Sequence, residues 1–155
     1  MGACHTALAV ADRIIHLSLE DEIPVTPMQV QKLTYFCHAW MLGLGYGPLF
    51  QDAVESWRYG PVIRSLYHAL KHYGSNRITQ HLLDKPAAFT EQEERIIKVI
   101  WRQYGQLDGT RLSRMTHAAG SPWQQTYQKD ERSQIIHNHV IRDYYSSLVE
   151  QRRAV

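Results

Sequence analysis

The chain has 155 residues, enough for one domain with a sizeable core and short for two. At 44% hydrophobic and 21% charged it falls outside the disordered class, and no window approaches the roughly 18 apolar residues that span a bilayer. A formal charge of +2 selects no class of partner, so the local distribution of charge has to carry that inference.

Leu8, Ala11 and Ile15, interleaved with Val10, Ile14 and Leu17, fall at helical spacing and predict a first amphipathic helix over 6–19, ended by the acidic run Glu20-Asp21-Glu22. Thr26-Pro27 then joins an N-cap to a proline at the first helical position. The helix it starts places Val30, Leu33, Cys37, Trp40, Met41 and Leu44 on one stripe, with Gln29 and Lys32 toward water. Gly43, Gly45 and Gly47-Pro48 close it. Ala53 to Trp57 reads as a short strand.

From Gly60-Pro61 the pattern predicts a turn and then a helix from about Pro61 to Tyr73, closed at Gly74-Ser75-Asn76, with Ile78-Thr79 as a candidate strand fragment. Thr90-Glu91-Gln92-Glu93 is a capping box, and its helix turns Ile96, Ile97, Ile100, Trp101 and Tyr104 inward. A short helix over Gly109 to Ala119 follows, and Ser121-Pro122-Trp123 opens another. Ile135-Ile136 reads as a strand, and Asn138 as the cap of a final helix from Val140 to Arg152. The expected architecture is mainly α: a single compact helical domain, 1–155, with a small antiparallel β element.

Two cysteines, Cys4 and Cys37, and a start without a basic n-region or continuous apolar h-region predict a cytoplasmic protein with free thiols. MGACHT fits the formal N-myristoylation pattern, but no polybasic segment follows it as a second anchor, and no membrane association is expected. Nine histidines raise a metal hypothesis, and His68 and His72 stand four apart on one helix, the spacing at which two imidazoles share an ion. No third ligand lies near them in sequence, and HExxH is absent. Cys37 sits on an apolar stripe, where burial raises a thiol pKa. The carboxylate pairs Asp21-Glu22 and Glu93-Glu94 occupy solvated positions. With no GxSxG, Walker loop or dinucleotide fingerprint, the expectation is a non-enzymatic chain without cofactor or metal.

Between Ser56 and Leu83 there are four basic residues and three histidines but no Asp or Glu. Arg64, His68 and Lys71 share one helix face, with Arg58 and Arg77 in flanking turns. About four dispersed phosphate contacts give only weak, salt-sensitive binding, so a nucleic-acid-binding regulator and a metal-independent nuclease are the lesser readings.

Three segments resemble the Panacea-domain antitoxin family, which includes phage-associated GepA-like and SocA-like proteins: 31–40 (QKLTYFCHAW), 48–74 (PLFQDAVESWRYGPVIRSLYHALKHYG) and 114–123 (RMTHAAGSPW). The matching positions are Lys32, Leu33, Tyr35 and Phe36, then Pro48, Leu49 and Phe50, then Glu55, Trp57, Tyr59, Gly60 and Pro61. Tyr67, Tyr73 and Gly74 follow, and Thr116, His117, Pro122 and Trp123 complete the ordered set. His38-Ala39 departs from the family's small or Gln-Gly pair, at a position expected on the helix surface or stripe.

The resemblance implies an antitoxin that neutralises a cognate protein toxin encoded by an adjacent gene through direct binding. SocA-like members imply the alternative of a proteolytic adaptor that delivers the toxin to a AAA+ protease. The family offers no catalytic residues. Trp57, Gly60 and Pro61 are then expected to be structural, with Trp57 filling the core, Gly60 permitting a tight turn and Pro61 starting the helix. The toxin-binding surface is expected at Arg58, Tyr59, Arg64, Tyr67, His68 and Lys71.

Overall fold

A computed structural model of the chain describes residues 5–129, 131 and 133–153. The start of the acylation pattern, with Cys4, lies outside them. Among the described residues no helix is long and apolar enough to cross a membrane.

Seven α-helices and three short strands appear among the described residues: α1 (Ala7–Asp21), α2 (Pro27–Gly43), β1 (Val54–Trp57), β2 (Gly60–Val62), α3 (Arg64–Leu70), α4 (Glu91–Tyr104), α5 (Gly109–Thr116), α6 (Pro122–Thr126), β3 (Gln134–Ile136) and α7 (Asn138–Arg153). The mainly α architecture with one small antiparallel sheet is as expected from the sequence. The local start signals act where they were read. Thr26 and Thr90 both form complete capping boxes, and Ser121 accepts the Gln124 N–H ahead of Pro122.

Helix α2 is the axis of the fold. It packs on α1, α3, α4, α5, α7 and β2, and every residue from Val30 to Gly43 is buried. A helix enclosed on all sides has no water-facing stripe, which overturns the expected placement of Lys32 toward solvent: its side chain is buried, 2% exposed. Gln29 is half-buried and donates to the Leu107 carbonyl at 2.9 Å. Gly43 lets α7 cross closely, since a Cβ there would stand 2.5 Å from Tyr145 Cβ. Tyr35 lies against Tyr145 and Phe36 stacks on Tyr104.

His38, expected on the helix surface or stripe, is fully buried. Its Nδ1 accepts the Leu49 N–H at 3.2 Å and its Nε2–H donates to Asn138 Oδ1 at 3.0 Å, while the ring stacks on Phe50 at 4.0 Å. One neutral imidazole thus ties α2 to the Leu49-Phe50 segment and to the first turn of α7. Asn138 serves this bond as the first residue of its helix.

The sheet order is β2-β1-β3, all antiparallel, with Ser56 opposite both Pro61 and Gln134. The expected helix from Pro61 to Tyr73 is corrected here. Trp57 pairs with Gly60, so Arg58-Tyr59 form the tip of a two-residue hairpin and Pro61 belongs to edge strand β2. Helix α3 starts only at Arg64, and Lys71–Tyr73 finish it as a tighter 3₁₀ turn. Ile78 joins no strand, but its N–H donates to the Val25 carbonyl at 2.8 Å. The short helix after Asp108 stops at Thr116, earlier than the sequence pattern suggests.

Candidate functional site

The hairpin tip is held by hydrogen bonds to its carbonyls. Trp123 Nε1–H donates to the Trp57 carbonyl and Ser113 Oγ–H to the Tyr59 carbonyl, both at 2.6 Å, so α5 and α6 grip the tip from one side. From beneath, Lys32 Nζ donates to the Pro61 carbonyl at 3.0 Å. Gln31 completes the grip by pairing with both backbone groups of Ile63, accepting at 3.0 Å and donating at 2.9 Å. Ile63 occupies the cap position of α3 without a side-chain cap, and Gln31 fixes that residue's own backbone where the strand gives way to the helix.

Gly60 has φ 119°, and a Cβ there would meet Thr116 Oγ1 at 2.9 Å and Lys32 Nζ at 3.0 Å. Glycine is needed both for the turn and for this close approach. The Lys32, Gly60, Thr116 and Trp123 positions, spread over more than ninety residues of sequence, converge on one turn. His117 supports it from the side, edge-on to the Trp123 ring at 3.9 Å. Burial lowers the His117 pKa, and the Lys32 charge lowers it further.

The frame presents a groove of about 280 Å³ between the start of α2, the hairpin and α3. The buried Leu70 and Val62 line it beside Lys32, and Gly74 lines it too. Its rim carries large apolar side chains in water: Tyr59 is 61% exposed, Tyr67 42% and Met28 40%. Lys71 stands on the same rim. Burial lowers the Lys32 pKa to about 8.

The six residues expected to meet a toxin do not form one face. Trp57 is a ridge, half-buried instead of filling the core, with Tyr67 packed on its ring at 5.0 Å. Tyr59, Tyr67 and Lys71 lie on its groove side. Arg58 and Arg64 lie on the other, in an open cleft of about 570 Å³ shared with Tyr127 and Lys129. His68 lines neither, although its ring meets Tyr67 edge-on at 5.6 Å.

Arg64 is exposed but not free. Its guanidinium makes a bidentate pair with Glu55 at 2.8 and 3.0 Å and lies over the Trp57 ring. Burial raises the Glu55 carboxyl pKa, but the bonds from Arg64, Trp57 and Ser133 outweigh it and hold the group below its ordinary value. The expected basic face is therefore partly neutralised from within.

Met28 and Gln31 carry no reading as site residues in the sequence, and Lys32 is read there only as a position of the family pattern, on a face expected to meet water. Met28 carries no signal beyond an apolar residue in a first turn. The buried charge of Lys32 was hidden by assuming that α2 had a wet face.

Among the described residues no group of three or more His, Cys, Asp or Glu side chains is placed to hold a metal ion. Burial pushes the Cys37 thiol well above its ordinary range.

Comparison with known proteins bears on this frame directly. The family described as "Antitoxin SocA-like, Panacea domain" matches residues 30–124, a span that runs from α2 through the hairpin and α3 into α6. Antitoxin SocA of Caulobacter vibrioides (strain NA1000 / CB15N) is 27% identical over 128 residues, covering 76% of this chain and 68% of that protein. No solved structure matches. With well over half of its length matched, including the hairpin and the residues that grip it, the chain belongs to the SocA-like, Panacea-domain antitoxin family.

Proposed function

We propose that this protein neutralises a cognate protein toxin, encoded by an adjacent gene, by binding it directly with the hairpin tip and the groove beside it. The observation that carries this reading is the exposure of Met28, Tyr59 and Tyr67 around one concave site whose frame is buried and hydrogen-bonded. Folding alone gains nothing from three large apolar side chains left in water together, and such patches mark interaction surfaces. Tyrosine anchors supply contact area at low entropic cost and are enriched among the residues that dominate binding energy.

In this reading the chain acts without catalysis, in the cytoplasm, as one unit over 1–155. The fixed frame orients the contact side chains before the toxin arrives, which lowers the ordering cost of association. Arg58, Arg64 and His68 border the site and tune the rate and selectivity of encounter through charge. A AAA+ protease is a partner only in the alternative, in which the chain hands its toxin over for degradation.

The test is a titration of the adjacent-gene toxin with purified protein in a cell-free toxin assay lacking proteases. Protection is expected, and Tyr59→Ala is expected to abolish it while leaving the melting temperature unchanged. An absence of protection, with toxin levels falling in cells only when the protease is present, would establish the adaptor instead. Binding of generic oligonucleotides that weakens steeply with salt would indicate a nucleic-acid partner.

A further inference from the structure

The groove has a chemical character more specific than an apolar patch. Its walls are aromatic and aliphatic, from Trp57, Tyr59, Tyr67 and Leu70, and its charged residues are both cationic, Lys32 and Lys71. Among the described residues no carboxylate lines it. The nearest acidic side chain along the hairpin, Glu55, is committed to Arg64 and to the Trp57 indole. The Lys32 ammonium has three donors, and the Pro61 carbonyl takes one at 3.0 Å. A cation buried without a counter-charge is costly, and a carboxylate arriving from a partner relieves that cost.

The size is informative too. At about 280 Å³ the groove lies at or below the lower bound of roughly 300–1,000 Å³ for small-molecule pockets, and suits about one or two side chains.

Resting on the toxin-binding reading above, we infer that the groove seats a short acidic segment of the toxin. One bulky apolar side chain enters between Tyr59 and Tyr67, and a neighbouring carboxylate is drawn to Lys71 and Lys32. The apolar insertion supplies affinity, and the two cations select against basic sequences by leaving them with uncompensated like charge. A second copy of this chain is the competing occupant, because Leu19 is exposed beside Glu20, Asp21 and Glu22 and offers a similar combination.

Fluorescein-labelled nonapeptides test this on the full chain by polarisation. Three sets are compared: a central Phe flanked by Glu, the same Phe flanked by Lys, and a central Ser flanked by Glu. Only the first is expected to bind. Tyr59→Ser and Lys71→Glu, both at exposed positions that leave the fold intact by melting, are each expected to weaken it about tenfold or more. Lys71→Glu is also expected to gain binding of the Lys-flanked set, a rescue that loss of structure cannot produce. Arg102→Glu, on α4 and away from the groove, is expected to change nothing.

Equal binding of all three sets, no binding of the acidic Phe set, or indifference to both groove variants would overturn the inference. Sedimentation of the chain alone addresses the second copy. A dimer dissociated by Tyr59→Ser would assign the groove to self-association and overturn the inference, and a monomer supports it. Titration with the adjacent-gene toxin separates the two levels. A toxin that binds wild type and both variants equally removes the groove but keeps neutralisation by binding. A toxin that does not bind wild type removes the reading on which the inference rests.

Discussion

Among the groups whose titration loosens this protein in acid, His38 is the most deeply buried. The ring is fully buried, accepts the Leu49 N–H at Nδ1 and donates from Nε2 to Asn138, an arrangement that requires the neutral tautomer. Burial lowers its pKa from 6.5 to about 4. The folded state therefore resists a proton that the unfolded chain accepts near pH 6.5, so the stabilisation is complete above pH 6.5 and is lost as pH falls toward 4. A difference of about 2.5 pKa units corresponds to about 3 kcal/mol in total, with most of it gone by about pH 4.5.

The assay is urea unfolding of wild type and His38→Gln at several pH values between 7.5 and 4.5. Taking the difference between the two proteins cancels the titration of the carboxylates and the other histidines. The variant should be the less stable at pH 7.5, because it loses the shaped pair of bonds between α2, Leu49 and α7. That gap should narrow by about 2–3 kcal/mol toward pH 4.5, as wild type alone bears the cost of its buried histidine. A gap that stays constant over the whole range would refute the assignment of His38 as a buried neutral imidazole.

Gly60→Ala should cost about 1–3 kcal/mol, because it forces a side chain onto a positive-φ position and against Thr116 and Lys32; an unchanged urea midpoint would show that the hairpin can yield. Lys32→Met should leave stability within about 1 kcal/mol of wild type, since removing an unpaired buried charge offsets the lost bond to Pro61. The same variant should weaken binding of the acidic Phe peptide, and full affinity would take Lys32 out of the recognition. Trp57→Ala should cost about 2 kcal/mol by thermal melting, short of the roughly 3–5 expected for a fully buried aromatic, because the ring is a half-buried ridge. A loss in the upper range would place the ring energetically in the core.

What the sequence by itself determined was the kind of element and where most of them start. Thr26-Pro27, the Thr90 to Glu93 box and Ser121-Pro122 act through partners at most a few residues away, so the same bonds form whatever surrounds them. The ordered W-x-Y-G-P and T-H…P-W segments were likewise legible, and with them the family. Their mutual grip was not, since Trp123 reaches Trp57 across 66 positions and Ser113 reaches Tyr59 across 54.

Only the tertiary structure decided that α2 has no wet face, and with it the burial of Lys32 and His38. Helical periodicity assumes a surface helix with one dry side; a helix packed on every side buries its polar residues wherever distant groups can pair with them. Those groups are Pro61 for Lys32 and Leu49 and Asn138 for His38. The same limit applies to Pro61, whose fixed φ suits a helix start and an edge strand equally, until pairing of Trp57 with Gly60 assigns it to the strand. Charge was counted along the chain, but Glu55 folds back onto Arg64 and Trp57 divides the basic residues. What remains exposed together is aromatic first and cationic second.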